Sequence, residues 1–178
     1  EKTKLECCNF AVTLQLDLLK PETFKTEIDF IIKEFGKING LIHLAGVPYI
    51  SPLRTINANK AMDVYMVNSY AGLELVKVFS SKKIFAGEFG SIVLISSVYG
   101  KVGSPANAGY AMSKGAVQSA TKALAMELAS KQIRVNCIAP GFVKTEMMDD
   151  VSTSFSSDSY LNNLEKLHPL GLGEPTDI

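Results

Sequence analysis

The chain has 178 residues, of which 47% are apolar and 20% charged, and its 18 basic residues balance 18 acidic ones. This length suits a single globular domain, which we expect to span residues 1–178. A formal net charge of zero gives no electrostatic reason to expect a nucleic acid or an anionic membrane as a partner. No apolar run approaches the ~18 residues of a membrane span. We therefore expect a soluble protein that binds neither nucleic acid nor membrane.

The three cysteines are too few, and too unevenly spaced, for a disulfide framework or a zinc site. Two of them, Cys7 and Cys8, are adjacent, and the third is Cys137. The sequence therefore predicts a cytoplasmic protein from a reducing compartment, without a metal site.

Short apolar runs alternate along the chain with longer amphipathic stretches, the pattern of β-α-β units around a parallel sheet. Two of the apolar runs, LIHLA and SIVLIS, are apolar on successive residues, as in strands that are covered on both faces. The predicted strands are Ala11–Leu16, Gly40–Ala45, Ser91–Ser96 and Arg134–Ala139. We expect an α/β fold with a doubly wound parallel sheet.

Three helices are predicted between and after these strands. In the first, apolar residues recur at steps of three and four, and Pro21 suits the first helical position. The third is rich in Ala, Ser and Gly, which permits close packing against another helix. The predicted ranges are Pro21–Phe35, Ala58–Phe79 and Ala111–Ser130.

One spacing in the chain points to chemistry: Lys114 follows Tyr110 by four residues, and Ser97 precedes that tyrosine by thirteen. Four residues are about one helical turn, so Tyr110 and Lys114 share a helix face. A nearby ammonium favours the phenolate and is expected to lower the tyrosine pKa by roughly 1–3 units. With Ser97 hydrogen-bonded to a substrate oxygen, this set could protonate a carbonyl or run the reverse reaction.

Less specific interpretations exist for the same residues. Tyr110 and Lys114 could be an exposed pair at a helix start that contributes little to stability. Ser96 competes with Ser97 for the carbonyl, although the spacing favours Ser97. None of the other five tyrosines has a lysine four residues later, which isolates the signal.

The ends of the predicted strands carry further candidates. Ligands of an open α/β sheet bind outside the carboxyl ends of its strands. Asp17, Ala45-Gly46, Ser97 and Pro140-Gly141 each stand at such an end, and Tyr110 opens the helix after the third of them. Their convergence is better evidence for one ligand site than any single motif.

With these motifs in order, the chain resembles the short-chain dehydrogenase/reductase family, most closely its β-ketoacyl-ACP-reductase-like members. The resemblance runs from about Asp17 to Ile178. It rests on HLAG (43–46), VNSYAG (67–72), the serine and YAMSK motifs, NCIAPGFVKTEM (136–147) and PLGLGEPTDI (169–178). It implies a Rossmann-like fold and an NAD(P)-dependent oxidoreductase that interconverts a carbonyl and a secondary alcohol.

The resemblance also implies a role for each catalytic candidate. Tyr110 would be the general acid/base, and Lys114 would lower its pKa and bind the nicotinamide ribose. Ser97 would orient the carbonyl, and Asn68 would hold a water that joins Lys114 to solvent. Asn68 could instead be only a polar residue of its helix.

Further residues are implied at the cofactor. Asp17 would meet the adenine amino group, or serve only as a turn residue before Pro21. Thr145 would bind the carboxamide or a phosphate oxygen, or cap a short helix at 146–150. The implied cofactor-binding set is Asp17, Ala45, Gly46, Tyr110, Lys114, Pro140, Gly141, Val143 and Thr145.

The resemblance breaks at two places. No Gly-x-x-x-Gly-x-Gly phosphate turn occurs in the chain, so by analogy we expect the sequence to lack the first β-α-β units and the last strand of a longer protein. His43 stands where the family usually has asparagine, and we interpret it as a satisfied core histidine rather than a catalytic one.

The implied cofactor is NADP or NAD, with NADP slightly favoured. The implied substrate is a small carbonyl compound or alcohol, including an acyl thioester, under a flexible lid at 146–170. A homodimer or homotetramer is expected. The alternative is an inactive binding or assembly module on a reductase-like scaffold, and a further one is an epimerase or dehydratase that uses the same pair.

Overall fold

The computed structural model describes residues 13–147 and 166–178 of the chain. Within these ranges it contains one sheet of three parallel strands, in the order β1-β2-β3. These are β1 (Gly40–His43), β2 (Gly90–Ile95) and β3 (Ile133–Ile138). Each begins within one residue of its predicted start, so the parallel α/β architecture is confirmed.

The strand predicted at Ala11–Leu16 is wrong for the part that can be compared. Residues 13–16 belong to no strand, and residues 11 and 12 lie outside the described ranges. A strand needs a neighbour for its backbone N–H and C=O groups, and none of the three strands of the described sheet pairs with this segment. The apolar pattern instead serves packing, because Leu16 and Leu18 contact the buried cluster around Phe24.

The first and last predicted helices form close to their expected ranges. Helix α1 (Phe24–Phe35) follows a 3-10 turn at Pro21–Thr23, which has the proline at its first position. Helix α4 begins at the start of the tyrosine motif and continues into a second 3-10 turn. Their bounds are Ala108–Leu128 for α4 and Ala129–Lys131 for the turn.

The single helix predicted at Ala58–Phe79 is interrupted. Helix α2 (Ala58–Tyr65) leads into a π-helical turn at Met66–Tyr70, and α3 (Ala71–Phe79) follows. The amide of Ala71 donates to the carbonyl of Met66, five residues back. Such a turn holds one more residue than an α-turn and is frequent at functional sites. Asn68 lies at its centre.

The core lies between the sheet and helices α3 and α4. Ile92 and Ile133 of the sheet and Phe79 of α3 are almost completely buried there. The other face of the sheet is more open at β1, where Ile42 is 62% exposed and Leu44, just after the strand, is 66% exposed. The expectation that LIHLA is covered on both faces is therefore wrong for these two residues.

Backbone hydrogen bonds extend the β2–β3 pairing past the strand ends. The amide of Ser96 donates to the Ile138 carbonyl at 2.8 Å, and that of Val98 donates to the Pro140 carbonyl at 2.9 Å. These bonds hold the segments after β2 and β3 side by side, at the edge where the candidate residues converge. Across the described ranges, no helix combines the length and apolar character needed to cross a bilayer.

Candidate active site

A cavity of about 520 Å³ opens at the carboxyl ends of the three strands. Its walls come from the segments after β1, β2 and β3, from the first turns of α4 and from the end of the chain. Predicted site residues that line it are Gly46, Ser97, Tyr110, Lys114, Pro140, Gly141, Val143 and Thr145. The structure thus brings together eight residues that are scattered over 100 positions of sequence.

Asp17, Ala45 and Asn68 are predicted site residues that do not line this cavity. The Asp17 carboxylate accepts a hydrogen bond from the Leu19 amide at 3.0 Å and lies 3.5 Å from the Lys20 ammonium. These contacts are those of a turn residue before Pro21, the second of the two roles considered for it.

Tyr110 and Lys114 lie in the first two turns of α4. The Lys114 ammonium is 5.8 Å from the centre of the Tyr110 ring. It also donates a hydrogen bond of 2.9 Å to the Ile95 carbonyl at the end of β2. Lys114 is only 3% exposed, so these two residues are not a solvated surface pair.

Burial governs the pKa of both residues. It raises the pKa of Tyr110, and the hydrogen bond from the Ser97 hydroxyl opposes this shift only in part. It lowers the pKa of Lys114 to about 8. The expected lowering of the Tyr110 pKa by Lys114 is therefore not seen in this structure, because loss of water disfavours the charged form of each group. The hydrogen bond from Ser97, rather than the charge of Lys114, is what lowers the pKa of Tyr110 against the effect of burial.

Ser97 and Ser96 take different positions after β2. The Ser97 hydroxyl accepts a hydrogen bond from the Tyr99 amide at 3.2 Å and faces Tyr110. The Ser96 hydroxyl instead donates to the Lys114 carbonyl at 2.7 Å and is 3% exposed as a residue. Because Ser96 is committed to the helix backbone, Ser97 is the better placed of the two for a substrate oxygen.

Asn68 is completely buried, and its side-chain amide joins three segments. Its Oδ1 accepts from the Val47 amide at 2.8 Å, and its Nδ2 donates to the Val47 carbonyl and to the Ser113 hydroxyl, both at 3.0 Å. The Ser113 hydroxyl donates in turn to the Tyr110 carbonyl at 2.7 Å. Both N–H donors of Asn68 are thus used by the protein, and only one lone pair of Oδ1 is left for a water.

Gly46 lies where no side chain would fit comfortably. A Cβ atom at this position would be 3.2 Å from the Lys114 ammonium nitrogen and 3.4 Å from Oδ1 of Asn68. The glycine therefore lets the segment after β1 approach both polar groups. The sequence predicted a close approach here, but toward a cofactor rather than toward these side chains.

His43 is a core residue, as predicted, but it is not a satisfied one. It is 4% exposed, and its Nε2 has no hydrogen-bond partner among the described residues. Burial, with a smaller contribution from the Lys114 charge, lowers the pKa of His43 to about 4, so the ring is neutral at pH 7. Gly72 of α3 makes room for this ring, since a Cβ there would lie 3.0 Å from Nδ1.

An aromatic wall of the cavity was missed by the sequence reasoning. Phe142 packs edge-to-face against Tyr99 and against His168, with ring centres 5.7 and 5.5 Å apart. The Phe142 amide donates to Nε2 of His168 at 3.2 Å. Phe142 directly follows Pro140-Gly141 in the sequence. No local pattern predicts its contacts with Tyr99 and His168, which lie 43 and 26 positions away.

Thr145 makes a weak local contact beside the cavity. Its hydroxyl donates to the Val143 carbonyl at 3.4 Å. Val143 itself is bridged to Gly173, which brings the end of the chain to the cavity. Most of the helix predicted at 146–150 and of the lid predicted at 146–170 lies outside the described residues.

The sequence model of the family described as short chain dehydrogenase matches residues 2–155, most of the chain. The chain belongs to this family. The order of motifs and the parallel sheet described above agree with that assignment.

Curated relatives include 3-oxoacyl-[acyl-carrier-protein] reductases and a carbonyl reductase. The chain is 34% identical to the Chlamydia muridarum 3-oxoacyl-[acyl-carrier-protein] reductase, over 92% of this chain and 64% of that protein. It is 30% identical to carbonyl reductase family member 4 of Xenopus laevis, over 98% and 73%. The chain thus spans 64% of the length of the first of these relatives.

Solved structures show the same fold. A short-chain dehydrogenase/reductase from Mycobacterium marinum superposes with a TM-score of 0.85 at 25% identity, covering 94% of this chain and 65% of that one. A gluconate 5-dehydrogenase from Burkholderia cenocepacia, solved with NADP and tartrate, gives 0.81 at 26% identity, covering 89% and 61%.

Proposed function

We propose that this chain carries the catalytic residues of an NAD(P)-dependent oxidoreductase that interconverts a carbonyl and a secondary alcohol. One observation carries the proposal. Ser97 from the end of β2, and Tyr110 and Lys114 from the start of α4, line one wall of the 520 Å³ cavity. Membership of the short-chain dehydrogenase family supports it.

The residues around Lys114 fit a nicotinamide cofactor. An ammonium has three N–H donors, and within the described part of the chain the Ile95 carbonyl is its hydrogen-bond acceptor. The remaining donors suit the two hydroxyls of a ribose. Gly46, Pro140, Gly141, Val143 and Thr145 line the same cavity and would hold the rest of the nicotinamide half, while the proposed adenine contact of Asp17 has no support from the cavity.

Each catalytic side chain then has a definite task. The bound cofactor supplies hydride to the carbonyl carbon, or accepts it in the reverse direction. The Ser97 hydroxyl donates a hydrogen bond to the substrate oxygen and orients it. Tyr110 would transfer its phenolic proton to that oxygen, and the Lys114 ammonium would then give a proton to the phenolate. A water bound to the second lone pair of Asn68 Oδ1 would pass a proton from solvent to Lys114.

We further propose a 3-oxoacyl thioester as substrate and reduction as the working direction. The similarity to 3-oxoacyl-[acyl-carrier-protein] reductases supports this choice. Tyr99 and Phe142 give the cavity an apolar wall suited to an acyl chain. We propose NADP as the preferred cofactor, the one present in the gluconate 5-dehydrogenase structure.

The test is turnover by the full gene product. Oxidation of NADPH and NADH is measured against a panel of ketones and 3-oxoacyl thioesters, with Tyr110→Phe as the key variant. Loss of a general acid should lower kcat by about 10²–10⁴-fold. Cofactor fluorescence reports binding, which should be largely intact in Tyr110→Phe.

A matched control is Tyr65→Phe, which removes the hydroxyl of a tyrosine outside this cavity and should keep full turnover. Wild-type kcat in Tyr110→Phe would contradict the role of Tyr110. A wild-type protein that neither turns over any substrate of the panel nor binds either cofactor would instead support the alternative of an inactive binding or assembly module.

We also propose that the protein forms homodimers or homotetramers through α2 and α4. These helices expose large apolar side chains, with Met62 at 61%, Met112 at 74% and Met126 at 82%. Light scattering during gel filtration gives the oligomer size. Replacing Met112 and Met126 by Glu should produce monomers, and an unchanged mass would rule this surface out.

A further inference from the structure

Gln118 of α4 connects the helix to the end of β2 through its side-chain amide. Its Nε2 donates to the Ser96 hydroxyl at 2.9 Å and to the Ser97 carbonyl at 3.0 Å. An amide nitrogen has two N–H donors, so both are used in these contacts. Exchanging the nitrogen and oxygen of this amide would place two oxygens, Oε1 of Gln118 and the Ser97 carbonyl, against each other. The orientation of the amide is therefore fixed.

The same contacts continue to the catalytic lysine. The Ser96 hydroxyl, which accepts from Gln118, donates to the Lys114 carbonyl at 2.7 Å. One hydrogen-bonded chain thus runs from the peptide of Ser97 through Gln118 and Ser96 to the helical turn that carries Lys114. Ser96, Ser97 and Lys114 line the cavity, whereas Gln118 does not, so Gln118 reaches the site only through these residues.

The backbone makes room for Gln118 at Gly100. A Cβ atom there would lie 2.5 Å from Nε2 of Gln118, and 3.0 Å from the backbone nitrogen of Gly115 and from the carbonyl carbon of Lys114. The turn at Val98–Gly100 therefore packs directly on α4. Only a residue without a side chain allows the amide of Gln118 to reach both serines.

We propose that Gln118 is a positioning residue that holds the peptide of Ser97 so that its hydroxyl faces Tyr110. The expected effect on turnover rests on the proposed function. The positioning of Ser97 by Gln118 does not depend on that function. Ser97 opposes the effect of burial on Tyr110, because its hydrogen bond lowers the pKa of that phenol. Displacement of Ser97 would therefore raise the pKa of Tyr110 further.

The test uses two replacements of similar size in the full gene product. Gln118→Glu exchanges both donors for an ionised acceptor, and Gln118→Met removes hydrogen bonding without adding charge. We expect each to lower kcat about tenfold, the equivalent of one or two lost hydrogen bonds. KM and cofactor affinity should stay close to wild type, and the alkaline limb of the pH–rate profile should move to higher pH.

The control is Ser119→Glu, which adds the same carboxylate at the next, exposed position of α4 and should leave these quantities unchanged. If Gln118→Met keeps wild-type kcat and only Gln118→Glu loses it, the cause is charge and the proposal is overturned.

A second measurement does not need turnover. The phenol of Tyr110 is titrated by NMR of ring-labelled protein and assigned by its absence in Tyr110→Phe. In both Gln118 variants it should titrate at higher pH than in wild type. Equal titration overturns the inference even if the protein is an active reductase. A shifted titration in a protein without turnover would refute the proposed function and leave the inference standing.

Discussion

The side chain of Asn68 binds both the amide and the carbonyl of Val47, at 2.8 and 3.0 Å, as a neighbouring strand would. The π-helical turn thereby fixes the segment after β1 that carries Gly46. Since Asn68 also reaches Ser113 of α4, one amide links two walls of the site, the segment after β1 and the first turns of α4.

Asn68→Ala should therefore affect stability and activity together. It leaves the Val47 amide and carbonyl without this partner and removes a donor from the Ser113 hydroxyl, which costs about 1–3 kcal/mol of the free energy of unfolding. Urea unfolding measures this cost, and kcat should fall as well. The control is Asn136→Ala, which removes an exposed amide from β3. If both variants unfold at the same urea concentration, the contacts of Asn68 do not contribute to stability.

His43 should make the protein sensitive to acid. Its pKa is about 4 in the folded protein against 6.5 in an unfolded chain, so the unfolded state takes up a proton first as the pH falls. The stability associated with neutral His43 is thus complete above pH 6.5 and lost toward pH 4, by about 3 kcal/mol in all.

The matched variants are His43→Asn and His168→Asn, since the chain has two histidines. Urea unfolding is followed from pH 7 to pH 4 for each. His43→Asn should flatten the loss of stability over this range, and His168→Asn should keep the wild-type slope. A wild-type slope in His43→Asn would show that other groups cause the acid sensitivity.

Gly72 and His43 should be energetically coupled. Alanine in a helix is favoured over glycine by about 1 kcal/mol, but a Cβ at position 72 lies 3.0 Å from Nδ1 of His43. We expect Gly72→Ala to destabilise the wild type and to be harmless or stabilising beside the smaller side chain of His43→Asn. A double-mutant cycle measures the coupling, and additive effects would contradict it.

Gly100 should tolerate no side chain. A Cβ there meets backbone atoms of α4 at 3.0 Å, so the helix must move away from the end of β2. Gly100→Ala should cost about 1–3 kcal/mol of stability and lower kcat. Gly103→Ala is the control, because nothing lies within 4 Å of a Cβ at that position. Thermal unfolding separates the two, and equal melting temperatures would contradict the prediction.

The sequence predicts the elements whose signals are local. Apolar runs at 40–45 and 91–96, and alternating apolar and polar residues at 134–139, predict all three strands of the described sheet, because these patterns are local. The convergence of Ser97, Tyr110 and Lys114 in one cavity was also predictable, since parallel strands place their carboxyl ends at one edge.

Features that depend on tertiary contacts were not predictable. Residues 11–16 carry an apolar pattern, yet residues 13–16 pair with no strand in the described sheet. The direction of the Tyr110 pKa depends on burial, which the spacing of Tyr110 and Lys114 does not contain. Gln118 looks like any polar residue of a helix until the end of β2 lies against it.

The π-helical turn at Met66–Tyr70 also limits how this part of the chain can vary in length. Each residue of an α-helix advances the chain by about 100°, so removing one residue from the turn would rotate α2 relative to α3 by that angle. Helix α2 contacts α4, whereas α3 contacts β1. The face of α2 toward α4 and the face of α3 toward β1 are both correctly oriented only with the extra residue present. A one-residue deletion in this stretch would therefore turn either Asn68 away from Val47 or α2 away from α4.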